Sequence, residues 1–204
     1  MKSINHLLLT FFTIILLHSC ARIYSSPDAS DLAASHNTIA ILPPTVSIAA
    51  NRKIDGDALK EQQKTESLNF QKEMYAWLLR RKSQKRISQE ILDIETTNTL
   101  LSKAGYPNNP MTPAEMAQAL GVDGVIASNF SLTKPMSEGV ALATGILFGA
   151  YGNTNEVRAS ISVYDKKNKK LIWNFDHNYS GSIGSSHARL VNALMRRASK
   201  KMPY

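Results

Sequence analysis

Few residues of this 204-residue chain combine a reactive side chain with a position that suggests chemistry. The only cysteine, Cys20, follows closely on an uncharged, apolar run at residues 7–17. A single thiol cannot close a disulfide within the chain, so its position must explain it. His177 and His187, with Asp176, could meet as a small catalytic or metal-binding group. A metal site needs more ligands than the sequence places there, so structural or surface histidines are the favoured interpretation.

The residues before Cys20 have the order of an export signal. Lys2 precedes the apolar run, which has the length of a signal-peptide core and is too short for a membrane span. The tetrapeptide Leu17-His18-Ser19-Cys20 resembles the lipobox of bacterial lipoproteins. That resemblance implies cleavage between Ser19 and Cys20, with diacylglycerol and an N-acyl chain such as palmitate on Cys20. The alternative is an ordinary signal peptide with an incidental cysteine.

The same resemblance predicts where the chain is held. Several acyl chains on Cys20 anchor a protein to a membrane stably. Ala21 stands where an aspartate favours retention in the inner membrane of similar lipoproteins. We therefore expect the outer membrane, on its periplasmic face. The domains expected are a signal peptide at residues 1–19, the lipidated cysteine with a flexible tether at residues 20–37, and a single domain at residues 38–204.

Composition favours a globular protein over a disordered one. Hydrophobic residues make up 43% and charged residues 20%, with a formal net charge of +8. Much of the positive charge lies in residues 78–86, 165–170 and 195–201. We expect these segments to be solvated helix ends and a hairpin turn, because cations are favoured at helix C-termini. Aromatic residues are not interleaved with the basic ones, so a nucleic-acid partner is not predicted.

Hydrophobic periodicity predicts an α/β domain with helices packed on a mixed β-sheet. Strands are predicted at residues 38–44, 85–94, 122–132, 157–164 and 171–178. Residues 46–63 are interpreted as a loop. Helix boundaries are indicated by an N-cap at Asp93, a stop at Gly105, a capping box at Thr112, Pro113 and Glu115, and a second stop at Gly121. Apolar helix faces are predicted at Phe70, Met74, Trp77 and Leu78, and at Leu190, Val191, Leu194 and Ala198.

Two stretches carry a resemblance to a known group. They are the helix-to-strand step AEMAQALGVDGVI at residues 114–126 and the hairpin VRASISVYDKKNKKLIW at residues 157–173. With the lipobox, they resemble the lipoproteins that include CsgG and LpoB, whose fold the amino-terminal domain of TolB shares. The resemblance implies a CsgG/LpoB-like sandwich and a lipid-tethered module that binds other envelope proteins. It brings no common catalytic residues.

One unusual stretch lies before the hairpin. Residues 139–155 carry no charge, although a surface connection should be polar. Three interpretations stay open: a loop folded over the core of the domain, a docking surface for another subunit or partner, or a membrane contact. The candidate contact residues are Val140, Leu142, Ile146, Leu147, Phe148 and Tyr151.

The sequence favours a protein that binds partners and has no catalysis, metal or cofactor of its own. A nucleophile elbow, a Walker loop and zinc-ligand spacing are all missing. The first alternative is a subunit of an oligomeric, membrane-associated secretion complex that assembles through residues 139–152. The second is an envelope enzyme that uses His177 and His187.

Overall fold

A computed structural model describes residues 21–49, 55–133, 156–180 and 186–204. Within these residues the chain forms seven strands and five helices. In chain order they are β1 (Arg22–Ser25), α1 (Ala29–Ser35), β2 (Thr38–Ile41), β3 (Thr45–Ile48), α2 (Gly56–Ser83), β4 (Glu90–Ile91), α3 (Ile94–Lys103), α4 (Pro113–Leu120), β5 (Gly124–Leu132), β6 (Glu156–Asp165), β7 (Lys170–Ser180) and α5 (His187–Ala198).

The seven strands form one mixed sheet. Its order is β1-β7-β6-β5-β2-β4, and β3 pairs with β5 beyond the end of β2. The pairs β1–β7, β7–β6 and β6–β5 are antiparallel, whereas β5 pairs in parallel with β2 and β3, and β2 in parallel with β4. The α/β class and the predicted β6–β7 hairpin are confirmed.

The larger core lies between one face of the sheet and helices α2 and α5. Phe70 of α2 stacks on Phe130 of β5 with ring centroids 3.9 Å apart. Trp173 and Phe175 of β7 are fully buried in the same core. The apolar faces predicted for both helices are buried here, because side chains three and four residues apart share one side of a helix.

A smaller core lies on the opposite face, beneath α3 and α4. Leu101 of α3 and Leu120 of α4 pack against Ala40 and Val125 of the sheet. The predicted capping box is present: the Thr112 hydroxyl accepts from the Glu115 backbone N–H, and the Glu115 carboxylate accepts from Thr112 N–H at 2.7 Å. The predicted N-cap at Asp93 is also confirmed, with its side chain accepting from Thr96 N–H at 2.8 Å.

The flexible tether predicted up to residue 37 is wrong for its described part. Residues of β1 pair with β7, so this segment adds a strand to the sheet. Helix α1 follows, and its small residues Ala29 and Ala33 are buried in the larger core. Because alanine buries little area and the segment is otherwise polar, its composition resembles that of a linker. The domain therefore begins near Arg22 and not at residue 38.

The predicted loop at residues 46–63 is also wrong at both ends. After β2, Leu42 N–H still donates to Ile126 O at 2.9 Å, but the two prolines that follow have no N–H to donate. Pairing with β5 resumes at Thr45–Ile48, so the prolines interrupt the strand without ending it. Helix α2 then begins at Gly56, with Asp55 as its N-cap. The strand predicted at residues 85–94 is paired only over Glu90–Ile91.

Candidate functional site

The sheet face that packs against α3 and α4 extends beyond them, and this further part is not covered by any described helix. Along β5, Val125 and Ala127 lie beneath α3 and α4, whereas Asn129 and Ser131 on the same face are exposed. Successive side chains alternate between the two faces of a strand, so this face changes from apolar to polar along a single strand. We call the polar part the open face.

The open face forms a groove of about 630 Å³ across five strands. Asn174 of β7 lies on this face and donates from Nδ2 to the hydroxyls of Ser160 and Ser162, both at 2.9 Å. Hydroxyl, amide, guanidinium and carboxylate groups therefore line one continuous surface, which suits hydrogen bonding to a polar partner. The groove is lined by Arg22, Thr45, Ser47, Asn129, Ser131, Arg158, Ser160, Asp176 and Asn178 among others.

Strand β1 borders the open face and ends the described sheet on that side. It pairs with β7 along one edge, and all four of its residues are exposed. Ile23 is 41% exposed and Tyr24 is 51% exposed, and among the described residues only Leu68 and Leu79 are comparable large apolar side chains at the surface. An edge strand offers backbone N–H and C=O groups to another strand. Its exposed apolar side chains add area that a partner can bury.

His36 belongs to a buried polar contact and not to a tether. Its Nε2 lies 2.8 Å from Asp165 Oδ1, and its Nδ1 lies 2.8 Å from the hydroxyl of Tyr204. Burial raises the pKa of the Tyr204 hydroxyl above its usual value, and the carboxylates of Asp165 and Asp123 raise this pKa as well. A hydroxyl held protonated in this way joins distant parts of the chain and is poorly suited to act as a nucleophile.

The carboxylate of Asp165 completes that contact. Burial alone would raise its pKa, but hydrogen bonds from His36 and from Asn168 outweigh burial and hold the pKa below the usual value. Oδ2 accepts from the Asn168 backbone N–H at 2.6 Å and from its side-chain amide at 2.9 Å. Asp165 therefore stays ionised at neutral pH and fixes the turn between β6 and β7.

His177 and His187 do not form a shared site. His187 begins α5 and contacts the buried carboxylate of Glu66. His177 contacts Arg197 at the other end of α5, with Nε2 and Nη1 2.6 Å apart. His187 and Arg197 are ten positions apart on α5, which corresponds to about 15 Å along the helix. The enzyme hypothesis based on these two histidines is therefore wrong in its geometry.

The described residues also contain no group of three or more His, Cys, Asp or Glu side chains that could hold a metal ion. In the same part of the chain, every helix is too short or too polar to cross a membrane. The predicted lipidation and cleavage residues, Cys20 and Ser19, lie outside the described residues. So do the six candidate contacts between Val140 and Tyr151, and both remain predictions.

No protein-family model matches this chain, and no curated protein matches it either. Among solved structures, it is similar to lipoprotein GNA1162 from Neisseria meningitidis, with 16% identity, a TM-score of 0.43, and coverage of 80% of this chain and 99% of that one. It is also similar to the PelC dodecamer from Paraburkholderia phytofirmans, with 11% identity, a TM-score of 0.40, and coverage of 87% and 92%.

A third similar structure is the LpoB C-terminal domain from Salmonella enterica, with 8% identity and a TM-score of 0.35. The matched region covers 74% of this chain and 94% of the LpoB domain. An LpoB domain and a lipoprotein are therefore among the solved structures to which this chain is similar.

Sequence reasoning missed the two exposed residues of the edge strand. Ile23 and Tyr24 fall in the segment predicted as a tether, because four residues are too few for a reliable alternating pattern. The available signal was that large apolar residues are unusual in a segment that is otherwise small and polar.

Proposed function

We propose that this chain is a lipid-anchored protein on the periplasmic face of the outer membrane that binds other envelope proteins and performs no catalysis. The lipobox-like residues before Cys20 support the anchor. The compact α/β domain begins directly after that cysteine, which leaves almost no linker between the acyl chains and the folded sheet.

The observation that carries the binding function is the exposed edge of β1. A partner strand can add to this edge through backbone hydrogen bonds, while Ile23 and Tyr24 supply apolar contacts. Tyr24 lies opposite Asn174, on the side of the sheet that bears the open face. A partner that pairs with β1 can therefore also contact the polar groove.

The position of the proposed anchor limits which proteins can reach β1. Arg22 is two positions after Cys20, and an extended chain spans about 7 Å over two residue steps. With acyl chains on Cys20, β1 lies at the membrane surface. The partner is therefore a protein of the same membrane, or a second copy of this chain held there by its own anchor.

The binding function is tested by placing charge on the edge strand. Ile23→Lys with Tyr24→Lys should dissociate the complex that is solubilised from membranes in a mild detergent, because a partner strand would have to bury two charges. Leu68→Lys is the matched control, since Leu68 is a similarly exposed apolar side chain on α2. Complex size on native gels is the readout. A complex of unchanged size in the double variant, with retained secondary structure, contradicts binding at β1.

The anchor is tested separately with Cys20→Ser. We expect this variant to lose its acyl chains and its processing, so that its mass retains the signal peptide and carries no lipid. Metabolic labelling with a fatty-acid analogue and intact-mass measurement are the readouts. Equal labelling of the variant and the unchanged protein would show that Cys20 is not the lipidation site.

A further inference from the structure

The later halves of α2 and α5 lie side by side and form a groove with a high density of positive charge. The sequence predicts these two basic segments to be solvated helix ends. The structure places the two helices in contact, and residues of both, including Trp77 and Asn192, line the groove. Six cationic side chains line this basic groove, and no carboxylate does: Arg80, Arg81, Arg86, Arg196, Arg197 and Lys200.

These six charges are not compensated within the described part of the chain. None of the six forms a salt bridge there, whereas Lys82, Lys166 and Lys170 each pair with a carboxylate. The two helix C-termini at the groove contribute roughly half a negative charge each. The helix ends therefore balance only part of the positive charge, and the groove has a net positive charge that attracts anions.

Two of the guanidinium groups are held in place by aromatic neighbours. Arg81 lies over the ring of Trp77 at 5.2 Å, and Arg197 lies over the ring of Tyr179 at 5.4 Å. Arg197 also contacts Nε2 of His177, whose pKa is lowered by burial and by Arg197 itself. A neutral histidine accepts a hydrogen bond from Arg197 and leaves its positive charge unneutralised.

One side of the basic groove, at Arg197, contacts β7, the strand that pairs with the first strand after the proposed anchor. Ala21 packs against the larger core, on the same side of the sheet as α2 and α5. The next residue, Arg22, lies opposite Asp176 in the β1–β7 ladder. Asp176 directly precedes His177, the residue that contacts Arg197. Acyl chains on Cys20 would therefore bring a lipid surface to this side of the molecule.

We propose that the basic groove binds the headgroup phosphates of anionic phospholipids in the membrane that holds the chain. The choice of a membrane as the source of the phosphate rests on the proposed anchor at Cys20. Guanidinium groups bind phosphate oxygens through paired hydrogen bonds. Each basic side chain near an anionic bilayer strengthens binding by roughly fivefold, so several in one groove orient the domain on its membrane.

The test uses the full-length protein in micelles of a neutral detergent, titrated with phosphatidylglycerol or phosphatidylcholine. Trp77, one of two tryptophans in the chain, lies in the groove and reports binding through its fluorescence. We expect saturation with phosphatidylglycerol only, and we expect it to weaken steeply as salt is added. Arg80→Gln with Arg196→Gln and Lys200→Gln should raise the half-saturating fraction of phosphatidylglycerol by more than tenfold.

The matched control removes the same amount of charge elsewhere. Lys60→Gln, Lys64→Gln and Lys103→Gln change residues outside the groove and should leave binding within about twofold of the unchanged protein. Replacing Arg80 and Arg196 by lysine should retain most of the binding. If the triple groove variant fails to fold, the salt dependence and lipid preference of the unchanged protein still test binding of anionic phospholipids.

Three outcomes overturn the proposal. The first is equal binding of phosphatidylcholine. The second is equal weakening in the control variant, which would show an effect of net charge alone. The third is saturation by free glycerol 3-phosphate at the same concentration as by phosphatidylglycerol, which would assign the groove to a soluble anion. None of these results bears on lipidation of Cys20, because the intact mass of the mature protein measures the anchor independently.

Discussion

Gly124 allows distant parts of the chain to meet at one point. A Cβ atom at this position would lie 2.5 Å from Nδ1 of His36 and 2.7 Å from the hydroxyl of Tyr204. These side chains come from the end of α1 and from the C-terminal residue, and both approach the start of β5. The missing side chain is therefore what permits the contact between His36, Asp165 and Tyr204.

Gly124→Ala should lower the free energy of unfolding by about 1–3 kcal/mol, because the added methyl group overlaps a buried hydrogen bond. Denaturant titration measures this change. Gly56→Ala is the control, since nothing lies within 4 Å of a Cβ atom at the first residue of α2. The control should be neutral or slightly stabilising. Equal destabilisation of the two variants would contradict the role assigned to Gly124.

Single residues with local roles could be predicted from the sequence, whereas residues with distant partners could not. The capping box at Thr112 and the N-cap at Asp93 depend on neighbours three residues away. His36 contacts residues 129 and 168 positions along the chain, and no local pattern connects them. The same reason explains why the basic groove was not predicted, although both of its segments are evident in the sequence.

At the scale of elements, the packing of β7 against α5 concentrates polar groups in the larger core. His177 and Tyr179 point toward the helices and are almost fully buried. Within the described residues, His177 Nδ1 and the Tyr179 hydroxyl have no hydrogen-bond partner. Burial raises the pKa of Tyr179, which keeps its hydroxyl neutral beside Arg197. This part of the core is therefore sensitive to added charge.

The lowered pKa of His177 predicts that acid weakens this packing. The unfolded chain has a histidine pKa of about 6.5 and binds a proton at higher pH than the folded chain does. The free energy of unfolding should therefore fall as pH decreases from 6.5 towards the folded pKa. His177→Gln retains an acceptor for Arg197 and removes the titrating group. Denaturant titrations between pH 8 and 5 should show a shallower decline in this variant, and parallel curves would contradict the prediction.

Long elements with strong periodicity were predicted correctly, whereas the short strands β1 and β3 were not. The second half of α2, helix α5 and the β6–β7 hairpin each bury a regular face that sequence spacing reveals. Strands β1 and β3 have four residues each, which is too few for a clear alternation. A pair of prolines also precedes β3 and resembles the end of a strand.

At the scale of the whole molecule, the sheet separates two different surfaces. One face is covered by α2 and α5, which together present the basic groove. The other face is covered by α3 and α4 over part of its area and is otherwise the open polar groove. Strand β1 lies at the edge between these faces, next to the proposed anchor. In this account the basic groove contacts lipid, while the edge strand and the open face bind a protein.

Photo-crosslinking in living cells can show whether an envelope protein binds at β1. A benzophenone amino acid would replace Tyr24, where an aromatic side chain is already exposed, and Leu68 in a control. We expect a discrete crosslinked species from position 24, identified by mass spectrometry as an envelope protein or a second copy of this chain. Ile23→Lys should abolish that species. No adduct from position 24, or the same adduct from position 68, would contradict binding at β1.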